Sequence, residues 1–209
     1  MKPLHDITIA LGLGTPEWPG DTPFSCGWSS SIANGASVNL STLTTSPHVG
    51  THADAPLHVL DGAAGSHELP LDAFLGPALV RTVGARERQI ELAALSLPSG
   101  SDPVVRLLLR TGRSISAGVF PDSWPALSPG AARELTARGL RLLGVDAPSV
   151  DERESRTLDV HRALFDGSAC VLENLDLRHV PDGPCELLAL PLLAHGLDAA
   201  PVRALIRLP

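Results

Sequence analysis

The chain has 209 residues, enough for one domain over positions 1–209, and its 44% hydrophobic and 19% charged residues exclude a disordered protein. The formal net charge is −7 and no run of Lys or Arg occurs, so the positive surface that nucleic acid binding requires is missing. No apolar stretch reaches the roughly 20 residues of a membrane helix, which argues against a membrane as partner.

Strand signals recur along the whole chain. Apolar and polar residues alternate over 38–42, which predicts a strand running towards Ser46 and Pro47. Short apolar runs predict buried strands at 78–83, 104–109, 140–145, 170–172, 186–190 and 202–208.

Two helices are predicted between these strands. The first covers 131–138, because Ser128 is a suitable cap, Pro129 suits a first turn and Gly139 suits the end. The second covers 155–165 and ends before Gly167. Many strands and few helices predict a mixed α/β domain.

Cysteine usage bears on the compartment of the protein. Cys26, Cys170 and Cys185 are odd in number and widely spaced, so we expect reduced, buried core residues rather than disulfides or a thiolate metal site. The first residues lack a basic segment followed by a long apolar run, so no secretory signal is expected. A soluble, cytoplasmic protein is therefore predicted.

One segment is rich in side chains that bind metal ions. His48, His52, Asp54 and His58 fall within eleven positions of a chain that has 8 histidines in all. Imidazole and carboxylate are suitable ligands for zinc, manganese and similar divalent ions, and the small residues between them allow crowding around an ion. The alternative is a polar loop whose histidines cap neighbouring backbone groups.

Further ligands must come from distant parts of the chain. On the predicted second helix, His161 shares a face with Leu158, Leu164 and Phe165 and should point inwards, either to a metal or to a hydrogen-bonding partner in the core. Glu173 ends an apolar run and is either a functional group at a strand tip or a solvated carboxylate.

Several motifs spread over most of the chain resemble one known family. They are Trp18-Pro19-Gly20-Asp21-Thr22, the run from His48 to His58, Asp146-Ala147-Pro148-Ser149-Val150-Asp151, His161, Leu172-Glu173-Asn174-Leu175, and the tail from Leu190-Pro191-Leu192 through Gly196-Leu197-Asp198 to Pro201-Val202-Arg203. Together they resemble the cyclase-like metal-dependent hydrolases, and most closely the bacterial kynurenine formamidases of that family. The HxxxHxD core is specific to the wider family, whereas the WPGD and DAPSVD segments favour the formamidases.

The resemblance implies a fold, a reaction and a set of site residues. The fold would be a single α/β domain of the swivelling β/β/α kind, with a mixed, barrel-like β-sheet core flanked by a few helices. The activity would be hydrolysis of N-formyl-L-kynurenine, an aromatic formamide, to L-kynurenine and formate in tryptophan degradation, and the chain would form a homodimer. His48, His52 and Asp54 would hold one zinc ion, and Asp54, His161 and Glu173 a second, with Mn²⁺ or another divalent ion as alternatives.

Two further residues have implied roles. His58 would be the catalytic acid or base, because Pro56 is expected to carry the chain away from the metals; the alternative is a ligand or a partner of one. Trp18 would stack on the aromatic ring of the substrate, although packing in a lid is the simpler role. Arg110 and Arg113 are candidates for a substrate carboxylate or are surface residues. His5, His67, His179 and His195 are expected to face solvent.

Two other functions remain open at this stage. A hydrolase of isatin or of another cyclic amide or ester would share the ligands and differ in the pocket lining around Trp18. A metal-binding module without turnover would close its coordination with four protein ligands, whereas a hydrolase leaves a position for water.

Overall fold

The computed structural model describes residues 2–84, 88–98 and 103–209. Within these ranges the strands are β1 (Leu4–Asp6), β2 (Ser25–Ser30), β3 (Leu40–Thr44), β4 (His52–Asp54), β5 (Leu75–Thr82), β6 (Gln89–Ile90), β7 (Arg106–Arg110), β8 (Ala126–Leu127), β9 (Leu142–Val145), β10 (Cys170–Glu173), β11 (Gly183–Leu188), β12 (Ala199–Pro201) and β13 (Leu205–Arg207). The α-helices are α1 (Pro129–Ala137) and α2 (Asp159–Asp166).

A mixed sheet of nine strands, counted over the described residues, forms the centre of the fold. Its order is β1-β13-β11-β5-β7-β9-β10-β4-β12. The chain just after β1 returns to the other side of the sheet, where Thr8 forms an antiparallel bridge with Leu175. This return curls the sheet into the barrel-like shape that the resemblance predicted.

Each face of the curled sheet has its own hydrophobic core. Leu107 and Leu109 of β7 pack in one cluster with Leu135 of α1 and Leu164 of α2, whereas Leu108 packs in the other. This division follows from the alternation of side chains along a strand. The helices therefore cover one face only, and the mixed α/β class predicted from the sequence is confirmed.

The predicted elements are found with shifted ends. The six buried runs correspond to β5, β7, β9, β10, β11 and β13, and the segment 38–42 corresponds to β3. The second helix begins at Asp159 rather than at 155, because Leu158 has a left-handed backbone (φ 51°) that no α-helix continues. Residues 155–158 are an ordered loop instead.

Two expectations failed at one residue each: Cys26 among the cysteines expected to be buried and His67 among the histidines expected to face solvent, whereas His5, His179 and His195 are exposed as expected. Cys170 and Cys185 are buried, but Cys26 is exposed because it lies on β2, which pairs only with β3 in a hairpin separate from the main sheet. His67 is half-buried and stacks on His195, with ring centroids 4.3 Å apart.

Over the described ranges, no helix has the length and apolar character that crossing a bilayer demands.

A candidate metal centre

Strand β4 places two of the clustered side chains on one face of the sheet. His52 and Asp54 are two residues apart and point the same way, whereas Ala53 between them enters the opposite core. β4 lies between β10 and β12, and the antiparallel register sets Glu173 directly opposite His52. Residues directly opposite each other share a face. Three metal-binding side chains therefore converge through sheet hydrogen bonding alone.

The turn before β4 fixes the two histidines. Gly50 has φ 71°, and a Cβ at this position would come within 2.9 Å of the Leu11 side chain and 3.0 Å of the Ile9 carbonyl oxygen. The Gly50 carbonyl oxygen lies 2.9 Å from His52 Nδ1, which directs His52 Nε2 towards the carboxylates. His48, on the same turn, has Nδ1 3.1 Å from Asp54 Oδ1.

Helix α2 contributes His161, which is buried. Its Nε2 lies 3.1 Å from Asp54 Oδ2 and 3.3 Å from Glu173 Oε1. Its Nδ1 lies 2.7 Å from Asp151 Oδ2, and the Asp151 carboxylate also accepts the backbone N–H groups of Val160 and His161. Asp151 thus holds both the first turn of the helix and the imidazole. The structure brings His161 and Glu173 to the early histidines, as the resemblance implied.

The donor atoms suit a divalent cation. Among the described residues, His52 Nε2 and Asp54 Oδ1 are buried without a hydrogen-bonding partner, although they lie only 3.3 Å apart. Buried polar atoms are normally paired, so two such atoms facing each other indicate a shared partner between them. His52, Asp54 and Glu173 form one group close enough to bind an ion, and His48, Asp54 and His58 form another. Nitrogen and carboxylate donors of this kind fit zinc and similar ions.

The charges within the cluster compensate each other. Although burial disfavours its charged form, the neighbouring carboxylates of Asp198 and Asp54 raise the pKa of His48 to about 9. Burial opposes charge at His52 too, yet Asp54 and Glu173 raise its pKa to about 10. Burial would raise the pKa of Asp54, but His52, His161 and His48 hold it well below its usual value. Without a cation, these imidazoles therefore keep their protons beside the carboxylates.

His58 stays beside the cluster, contrary to the expectation that Pro56 leads the chain away. Pro56 begins a 3-10 turn, in which the His58 N–H donates to the Ala55 carbonyl oxygen at 2.9 Å. This turn brings the His58 ring back to 4.4 Å from the His48 ring, measured between centroids. The side chain is 29% exposed, so it faces the solvent side of the cluster.

Asp198 is a site residue for which the sequence suggested no role. Its Oδ2 lies 2.9 Å from His48 Nε2 and 3.1 Å from His58 Nδ1. These hydrogen bonds hold the pKa of the Asp198 carboxyl well below its usual value, against the effect of partial burial. The backbone carbonyl of Asp198 also accepts the Ala55 N–H at 2.9 Å. The sequence signal was the Gly196-Leu197-Asp198 motif of the tail, to which the resemblance attached no role.

A cavity of about 600 Å³ opens onto the cluster. This size is typical of sites for small molecules. Trp18 forms one wall, with its ring edge-on to Phe120 and Trp124 at centroid distances of 5.5 Å and 5.9 Å. Phe120 also lines the cavity and was not predicted. The remaining lining residues are Pro16, Asp21, Ser46, Pro47, His48, His52, His58, Pro148, Ser149, Ser155, Arg156, Leu158, His161, Glu173, Asn174 and Asp198.

Neither arginine considered for a substrate carboxylate lines this cavity. Arg110 forms an ion pair with Asp182 at 3.1 Å and donates to the Val180 carbonyl oxygen, so it supports the far end of β7. Arg113 is exposed and lies outside the lining. The arginine found in the lining, among the described residues, is Arg156, which lies in the loop that the sequence predicted to be part of a helix.

A buried cluster of imidazoles and carboxylates beside an open cavity, on a curled mixed sheet, defines the class as a metal-dependent hydrolase. The family model described as "Putative cyclase" matches residues 5–152. The chain is 40% identical over 208 residues to a kynurenine formamidase of Bordetella pertussis, covering 99% of each chain. The chain belongs to the cyclase family.

Solved structures share the fold. One described as a potential metal-dependent hydrolase with cyclase activity has 26% identity and a TM-score of 0.84, with all of both chains covered. Isatin hydrolase A from Labrenzia aggregata has 23% identity and a TM-score of 0.80, with 98% of this chain and 93% of that chain covered. At this identity the second likeness describes the fold alone.

Removal of bound metal should make stability depend on pH in a defined direction. The pKa values of His48 and His52, about 9 and about 10, exceed the ordinary value of 6.5. Their protonation therefore stabilises the folded metal-free chain fully below pH 6.5, and this contribution is lost as the pH rises through 9 to 10. We expect the Tm of chelator-treated protein, measured by calorimetry, to fall from neutral pH to about pH 10.

The metal-loaded protein is the matched control. Metal ions bind the deprotonated imidazoles, so loading should reduce the fall in Tm over the same range. A chelated protein whose Tm is constant there, or falls no more than that of the loaded protein, would contradict the assignment of protons to these two histidines.

Proposed function

We propose that the chain is an arylformamidase that hydrolyses N-formyl-L-kynurenine to L-kynurenine and formate, a step of tryptophan degradation. The observation that carries this proposal is the cluster of donors, with unpaired buried atoms on His52 and Asp54, opening onto a cavity with an aromatic wall. The kynurenine formamidases at 40% identity, matched over nearly the whole chain, support the choice of substrate.

Two zinc ions per chain are proposed. The carboxylate of Asp54 supports this number, because its Oδ1 faces His48 and His52 while its Oδ2 faces His161. The two oxygens of Glu173 also face different histidines, with Oε2 3.5 Å from His52 and Oε1 3.3 Å from His161. One ion would be held by His48, His52 and Asp54, and the second by Asp54, His161 and Glu173. Other divalent ions, such as Mn²⁺, share this preference for nitrogen and oxygen donors.

The bound cations would supply a water of lowered pKa and polarisation of the formyl carbonyl. The chain itself supplies proton transfer and orientation. His58 has its Nδ1 against Asp198, so its Nε2 is the nitrogen that remains to protonate the departing aniline nitrogen. Asp198 fixes the ring orientation, as a carboxylate behind a catalytic histidine commonly does.

The aromatic wall would hold the formanilide ring. Trp18 is fixed by edge contacts with Phe120 and Trp124, and Trp124 Nε1 donates to the Asp151 carbonyl oxygen at 2.7 Å. The wall is therefore tied to the residue that orients His161. A rigid aromatic surface binds a planar ring with little loss of conformational freedom.

The function is tested by following hydrolysis of N-formyl-L-kynurenine before chelation, after chelation and after return of zinc or manganese. We expect activity to disappear with the metal and to return with it. Isatin measured in parallel distinguishes the alternative hydrolase of this fold. Faster turnover of isatin, or hydrolysis of formylkynurenine that survives complete metal removal, would overturn the proposal.

Replacement of His58 separates proton transfer from metal binding. We expect His58→Ala to keep the wild-type metal content and to lose about 100-fold or more in kcat, because general acid–base catalysis contributes this much. His161→Ala is the matched variant and should lose metal as well as activity. Metal content is measured by atomic emission. Loss of bound metal from His58→Ala would identify His58 as a ligand instead.

A homodimer is also proposed, with the β2–β3 hairpin in the interface. Trp28 and Leu43 share one face of this hairpin and are 66% and 64% exposed. An isolated two-stranded hairpin is marginally stable, so these apolar side chains indicate contact with a second copy of the chain. The protein should have twice its chain mass by light scattering, and the double variant Trp28→Ser, Leu43→Ser should be a monomer.

The control for the interface is Leu13→Ser. Leu13 is 78% exposed but lies outside the hairpin, so this variant should remain dimeric. A wild-type monomer at micromolar concentration, or a double variant that keeps the mass of two chains, would contradict the proposed interface.

A further inference from the structure

The cavity lining combines several acidic side chains with one arginine, counted over the described residues. Of the described residues that line it, Arg156 is the one with a side chain that is always cationic, whereas Asp21, Glu173 and Asp198 are carboxylates. Arg156 is exposed and has no carboxylate within 4.0 Å in the described part of the chain. Its guanidinium is therefore available to an anionic group of a bound molecule.

The backbone that carries Arg156 is held in place. Ser155 Oγ accepts the Leu158 N–H at 3.1 Å, which closes the loop around Arg156. Arg162 donates to the Thr157 carbonyl oxygen at 2.9 Å and to the Val59 carbonyl oxygen at 2.7 Å. The second contact joins this loop to the turn that carries His58. The backbone at Arg156 is thus fixed relative to the turn of His58, the proposed proton donor.

We propose that Arg156 binds the α-carboxylate of the substrate and so selects formanilides that carry an amino-acid group. This inference rests on the proposed function, because it assigns a binding residue to the amino-acid end of the same substrate, away from the formyl group. A guanidinium forms paired, charge-assisted hydrogen bonds with a carboxylate, and no other lining side chain in the described ranges offers them.

One carboxylate and one amide of the lining bear on this selection. Glu173 belongs to the metal cluster and Asp198 faces His48 and His58, so Asp21 is the lining carboxylate, among the described residues, that would repel an anionic substrate group not met by a cation. Asn174 is 4% exposed, and among the described residues its buried Oδ1 has no partner, so it offers a neutral polar contact in the lining beside Glu173. Charge is therefore recognised in the loop of Arg156, and the reacting amide is held at the metal end.

The test compares two substrates in Arg156→Gln and in the wild type. One is N-formyl-L-kynurenine, and the other is 2′-formamidoacetophenone, which keeps the formanilide and the ketone but lacks the amino-acid group. We expect Arg156→Gln to raise KM for formylkynurenine by about 10-fold or more, the value of a charge-assisted hydrogen bond. The ratio of kcat/KM between the two substrates should fall by the same factor, and Arg156→Lys should recover part of it.

Arg113→Gln is the matched control, since Arg113 is an exposed arginine outside the cavity, and it should keep the wild-type ratio. A second readout needs no turnover: Trp fluorescence should show that Arg156→Gln binds L-kynurenine more weakly while 2′-aminoacetophenone binds as in the wild type. An unchanged ratio, or an equal loss for both substrates, would overturn the inference. Failure of the zinc-loaded wild type to hydrolyse either formamide would instead overturn the proposed function, and the inference with it.

Discussion

The whole site depends on one buried carboxylate, that of Asp54. This side chain is completely buried, and each of its oxygens faces a different group of imidazoles. Burying an ionised carboxylate away from water costs several kcal/mol of desolvation free energy unless an opposite charge compensates it. Compensation here comes from His48 and His52 on the segment of β4 and from His161 on α2, so the charge of Asp54 and the arrangement of the chain around it require each other.

The fold meets this requirement with very short elements. β4 has three residues, yet it is bordered by β10 on one side and β12 on the other, so its side chains have little freedom. The motif from Asp146 to Asp151 holds two elements of the same region, the end of β7 and the start of α2. Asp146 accepts the Thr111 and Gly112 N–H groups and holds the end of β7, while Asp151 holds His161. Neither carboxylate enters the list of proposed ligands, but both fix the frame.

The local part of the site could be predicted from the sequence. The spacing of His52 and Asp54 is the spacing of one strand face, and the inward position of His161 follows from helical periodicity even though the helix begins later than expected. Asp198, Phe120 and Arg156 could not be found in this way, because each lies in a loop whose position is set by contacts distant in sequence. The left-handed residue Leu158, which moves Arg156 out of the helix, has no local signature in its residue type.

The pairing of β12 with β4 has a consequence for how such sites can diverge. Ala199 is opposite Asp54, and the Asp198 carbonyl oxygen accepts the Ala55 N–H. The pairing of β12 with β4, rather than the reach of a side chain, therefore sets the distance between Asp54 and Asp198, the carboxylate that faces His58. The aromatic wall and the arginine loop are attached outside this ladder. Substrate preference can therefore change by loop exchange while the reactive distances stay constant, and a slip of one residue between these two strands would abolish the chemistry at once.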